Sequence, residues 1–115
     1  MIELFRYDPE MEQGSVVYEP VSDGQLGIDQ AIIFRSERVT VKMLRFSGDG
    51  HYPMHRHVGK REVITVLEGS IYAVIDGEGK LLREGETEVV EENTRHMLSS
   101  KGGAAKVLLT ISETR

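Results

Sequence analysis

The sequence predicts an all-β domain, and three observations carry that prediction. Short runs of apolar and β-branched residues recur closely from residue 31 to residue 111, and Gly-rich turns separate them. No window of about 11 residues keeps apolar positions at i, i+3, i+4 and i+7, the mark of an amphipathic helix. The whole chain is 115 residues, the size of one domain. Many short strands with close turns describe a sandwich or a barrel.

The elements follow in order. Residues 1–30 are the least regular part: Asp8-Pro9, Gly14-Ser15, Pro20 and the stretch from Asp23-Gly24 to Gly27 read as turn punctuation, with short strands expected at 2–5 and 15–18. Ala31–Phe34 is an apolar run of strand length, and Val39–Phe46 is a strand that Ser47-Gly48-Asp49-Gly50 is expected to end. Glu62–Glu68 is the next strand, closed by Gly69, followed by Ser70–Ile75 and Lys80–Arg83. Between those two lies Asp76-Gly77-Glu78-Gly79, the strongest hairpin signal in the chain. Gly85 precedes a strand at Glu86–Val90, and Arg95–Ser99 and Val107–Ile111 complete the set.

Composition excludes several function classes. With 14 basic and 19 acidic residues the formal net charge is −5, a poor basis for gripping phosphate backbones, so no nucleic-acid partner is expected. No apolar run approaches the roughly 20 residues that span a bilayer. The start is charged from Glu3 onward and lacks the apolar centre of a secretory signal. The chain has no Cys, hence no thiolate nucleophile and no sulfur-ligated metal. Together these lead to the expectation of a cytoplasmic protein.

The informative segment runs from Gly50 to Glu62. His55 and His57 are two apart, so on an extended chain both imidazoles point the same way. Gly59 lets the chain turn, and Glu62 opens the following strand, where it can return a carboxylate to the pair. His96 begins a later strand and supplies a third imidazole. Three neutral imidazoles and one carboxylate suit a divalent transition metal (Fe, Mn, Ni, Zn or Cu), one per chain, with positions left open for water or substrate.

The run His55-x-His57-x4-Glu62-x6-Gly69 resembles the first motif of the cupins. Gly85-x5-Glu91-x-Asn93-x2-His96-x3-Ser100 stands in the place of the second motif, with Glu91 where Pro is usual, Asn93 where Gly is usual and Ser100 where Asn is usual. Asn93 can stand in for a Gly that needs positive φ. The resemblance covers residues 39–111, with 1–38 as N-terminal strands. It implies a double-stranded β-helix, the cupin jelly-roll barrel, as a single domain. It also implies His55, His57, Glu62 and His96 as metal ligands inside the barrel, and a homodimer formed through strand edges such as Ile2–Phe5 and Ser15–Tyr18.

A metal so held leads to the expectation of a metal-dependent enzyme, dioxygenase-like, acting on a small organic molecule in the barrel. The alternative is a non-catalytic small-molecule or metal-binding module. Candidate catalytic or pocket residues around the metal are His51, Tyr52, Arg45, Tyr72 and Met54. If Glu62 points inward, Ile64 and Val66 do too, and the space beneath the metal is apolar.

Overall fold

Period-two alternation along closely spaced strands produces one sheet that curls back on itself. The structure, a computed structural model, describes residues 26–114 and, before them, the backbone of Glu3–Leu4 and Glu19–Pro20. The strands are β1 (Glu3–Leu4), β2 (Glu19–Pro20), β3 (Leu26–Arg35), β4 (Val39–His55), β5 (Lys60–Glu68), β6 (Ser70–Ile75), β7 (Glu78–Arg83), β8 (Thr87–Val90), β9 (His96–Ser99) and β10 (Ala105–Glu113). Among the described residues there is no helix. The expected strand at 15–18 lies outside the described residues, as do residues 2 and 5 of the one at 2–5, whose middle is β1.

The path runs β7-β6-β9-β4-β10-β5-β8, and β3 lies against β4 and carries β1 and β2. Strand β4 joins the two walls of this nearly closed barrel. Its residues 39–46 pair with β10, whereas His51, Tyr52 and His55 pair with β9. Inward-facing side chains of both walls fill the interior: Leu44 and Phe46 from β4, Ile64 and Val66 from β5, Ile71 from β6 and Leu98 from β9 are all buried. Each such side chain stabilises the fold by about 1.5–3 kcal/mol relative to exposure.

Ser47–Gly50 does not end a strand; β4 passes through it to His55. The glycines bend the strand without removing its backbone partners. Gly50 O accepts from Ser100 N at 3.0 Å and Gly48 O from Gly102 N at 2.5 Å, so the turn after β9 serves the bend. A Cβ on Gly50 would stand 2.8 Å from the Phe46 ring, which is why only glycine fits there. Strand β3 likewise starts earlier than expected, because Asp29 tolerates its place by pairing with Arg45 at 2.9 Å on the surface. The hairpin expectation holds: Ile75 faces Glu78 across the two-residue turn Asp76-Gly77, with φ of 52° and 82°. Two positive φ values in a two-residue loop match the right-handed twist of the flanking strands.

Candidate metal centre

Three strand ends bring the polar cluster together. His55 closes β4, Glu62 lies near the start of β5, and His96 opens β9. His55 pairs with His96 in the β4–β9 ladder, and His96 pairs with Ile75 of β6. The ladder slips between Tyr52 and His55, where Pro53 has no N–H to give. That bulge puts Tyr52 and His55, three apart, on the same inner side, with ring centroids 4.6 Å apart. Past the strand end, His57 follows two residues on, and Gly59 at φ 71° turns the chain into β5.

The resulting geometry is that of a ligand set. One donor atom from each of His55, His57, Glu62 and His96 lies within 4.8 Å of every other. Two backbone carbonyls fix the ring tautomers: His55 Nδ1 donates to Pro53 O at 2.7 Å, and His96 Nδ1 donates to Thr94 O at 2.9 Å. A carbonyl only accepts, so both Nδ1 atoms carry protons and both Nε2 atoms of the neutral rings present lone pairs inward. His96 Nε2 stands 2.9 Å from Glu62 Oε2. A lone pair and a carboxylate at that distance repel unless a proton or a cation lies between them. His57 Nε2 is buried with no hydrogen-bond partner, 3.4 Å from Glu62 Oε1. An orphaned buried nitrogen facing a carboxylate fits a divalent cation on chemical grounds.

The electrostatics agree. Burial would push the Glu62 carboxyl up, but the imidazoles of His57 and His96 bring it down to about 2. Burial and the neighbouring imidazoles hold His55 below its ordinary value, against the pull of Pro53 O and Glu62. Burial alone would also lower His96, yet Glu62 and the Thr94 carbonyl raise it. A carboxylate this acidic stays charged at any physiological pH, and the depressed His55 is neutral at pH 7, as a ligand must be.

The remaining sequence candidates divide. Tyr52 is inside, against His55 and the core. Met54 is 41% exposed and lines an open crevice with Asp76, Gly77 and Arg95, beside the strand ends that carry His55 and His96. His51, Arg45 and Tyr72 are not in the cluster. His51 and Tyr72 both pair with Ser99, on the face opposite Tyr52 and Leu98. Tyr72 lies beneath Lys101, whose Nζ is 4.8 Å from the ring centroid, and Arg45 is bound to Asp29 on the surface. The reason is parity: each sits one residue away from an inward position.

The cupin domain family model matches residues 43–112. The chain belongs to the cupins. Solved structures share its fold at low identity. A cupin similar to RmlC, from Shewanella frigidimarina, has a TM-score of 0.78 at 18% identity, over 90% of this chain and 88% of that one. A predicted oxalate decarboxylase from Thermotoga maritima gives 0.79 at 16%, over 86% and 94%. The polyketide cyclase RemF from Streptomyces resistomycificus gives 0.77 at 20%, over 91% and 78%. No curated protein matches by sequence.

The departures in the second cupin motif have structural replacements. Asn93 adopts φ 64° and its N–H donates to His57 O at 2.9 Å, tying the second motif to the first. Glu91 binds Arg61 at 2.9 Å. Ser100 is buried and its Oγ donates to Ser47 O at 2.5 Å, anchoring β9 to the bend of β4. Sequence reading marked Ser100 only as a departure; its role could not be found without knowing that β4 bends beside it.

Proposed function

We propose that this cupin holds one divalent transition metal on His55, His57, Glu62 and His96 and uses it in a dioxygenase-like reaction on a small organic molecule. The observation that carries the reading is the buried, partnerless His57 Nε2 beside an acidic carboxylate and two tautomer-locked imidazoles. When bound, such a metal supplies a Lewis acid for a carbonyl or enolate oxygen and, if redox-active, a site for O₂. The chain's own groups do the rest. Pro53 O and Thr94 O orient two rings, Tyr52 backs His55, and the apolar side chains of Ile64, Val66 and Ile71 keep water from beneath the site. Similar structures include a polyketide cyclase and a sugar phosphate isomerase from Silicibacter pomeroyi.

Iron, manganese, nickel, zinc and copper all accept this donor set. Elemental analysis of protein purified without chelators identifies the metal. Oxygen uptake by the Fe(II)-loaded protein with a panel of enediols and catechols then tests the reaction. Sustained turnover supports the enzyme. Stoichiometric metal with no turnover on any probe supports the second reading, a binding module. The same proposal includes a homodimer, since among the described residues β3 carries only the two-residue strands β1 and β2 at its outer edge. Light scattering at a monomer mass would remove that part.

A further inference from the structure

We infer that Lys42 is the anion-binding group of the barrel interior, placed to hold a carboxylate or enolate oxygen of a substrate whose other end reaches the metal centre. The inference deepens the proposed function and rests on it. Its first support is register. The β4–β10 ladder is regular from Ala105↔Phe46 to Ser112↔Val39, so the inward face of β4 that carries Phe46 and Leu44 next carries Lys42. Lys42 pairs with Leu109, and Leu109 pairs with Ile64. Both partners belong to the buried core, and Ile64 is two residues from Glu62 on the same face of β5. An ammonium group thus shares a row with Ile32, Leu109 and Ile64, which ends on β8 at Glu88, itself paired with Lys80, and lies one step from the row of Glu62.

The second support is what surrounds it. Lys42 is half-buried, and among the described residues no carboxylate lies within ion-pair distance of its Nζ. Across the sheet its neighbours are Ile32 and Leu109, and the charges it feels are Glu62, Arg35 and Lys60. Burial, Arg35 and Lys60 outweigh Glu62 and hold its ammonium below the ordinary lysine value. A cation so placed is costly unless an anion meets it. A metal on the four ligands would take up the charge of Glu62, leaving Lys42 as a second positive centre on the inner wall. Two positive centres inside one barrel call for a small dianion, such as a dicarboxylate or a carboxylate with an ionisable enol. The long apolar stem lets the charged tip reach toward the open end, where such a ligand enters.

The test uses the Co(II)-loaded full chain, its visible absorption bands, and malonate, succinate and glutarate as probes at constant ionic strength. At least one dicarboxylate should shift the bands. Lys42→Met, which keeps the stem and removes the charge, should weaken that probe about tenfold or more, as expected for a lost charge-assisted hydrogen bond. Azide, which needs only the metal, should bind both proteins alike, and Lys42→Arg should recover most of the dicarboxylate affinity. Because Met packs well in an apolar row, the variant should melt no lower than the parent. The inference is overturned if no dicarboxylate shifts the bands, or if Lys42→Met weakens the dicarboxylate no more than it weakens azide. Failure of the parent to take up Co(II) removes the metal centre, and the anion site with it.

Discussion

The inner face of β5 carries two kinds of physics within five residues. At one end, Glu62 is 2% exposed and is held by imidazoles from three other segments. Two and four residues on, Ile64 and Val66 are fully buried among Leu44, Phe46, Ile71, Leu98 and Val107. The far end is stabilised by contact alone, which has no dependence on protons or metal. The near end concentrates a carboxylate, three imidazoles and, one row away, a lysine, and its energy depends on what lies between them. The same strand alternation built both, so the difference arises from residue type at equivalent inward positions. The candidate metal centre sits where the inward row stops being apolar.

Perturbing the two ends should separate stability from binding. The largest effect on stability is expected at the apolar end: Phe46→Ala should cost about 3–5 kcal/mol in a urea melt. Whatever remains folded should still bind metal stoichiometrically. At the polar end, His96→Ala should weaken metal binding by about tenfold or more, whereas His51→Ala, on the opposite face of β4, should leave the metal in place. Equal losses in a metal titration of the two variants would mean that the cluster is not the site.

The pH response should sharpen the contrast further. The carboxyl of Glu62 is depressed to about 2, so its contribution is present above the ordinary carboxylate range near 4.5 and lost as pH falls toward 2. His96 is raised, so its contribution is present below 6.5 and lost as pH rises through its folded value. In metal-free protein the stability difference between the parent and Glu62→Gln should therefore be greatest between about pH 4.5 and 6.5. It should shrink on both sides. Bound metal needs neutral rings, so metal should be released below about pH 6. Urea midpoints in chelator and metal content after dialysis check the two statements. A parent–variant difference that is flat with pH would contradict the first.

Smaller effects test the joints that hold the two ends in register. Ser100→Ala should cost about 1–2 kcal/mol, because it leaves the bend of β4 without its buried donor. Asn93→Ala should cost about 1 kcal/mol through positive φ, and Asn93→Gly should cost less. Thermal melts of the three proteins order them.

Much of this was legible in the sequence. The hairpin at Asp76-Gly77 and strand β6 follow from local turn chemistry and alternation, and they appear where expected. The spacing of His55, His57 and Glu62 marked a cluster, because i and i+2 share a side wherever the chain is extended. Arg45, His51 and Tyr72 were misplaced because their segments are apolar on both faces or interrupted, so alternation alone does not say which face turns inward. Val39–Phe46 is such a strand: Val41 and Met43 are as apolar as Leu44 and Phe46, so its inward face is not marked by residue type.

The sequence by itself determined that the chain is all-β, where most strands lie, and which four residues gather into a cluster that could hold a metal. These are properties of periods and residue types, which are local. Only the tertiary structure decided that β4 bends through Ser47–Gly50 instead of ending, that a bulge at Pro53 turns His55 and Tyr52 to the same side, and that Lys42 faces the interior. Those outcomes depend on register between strands far apart in sequence, which long-range packing selects and no local pattern encodes.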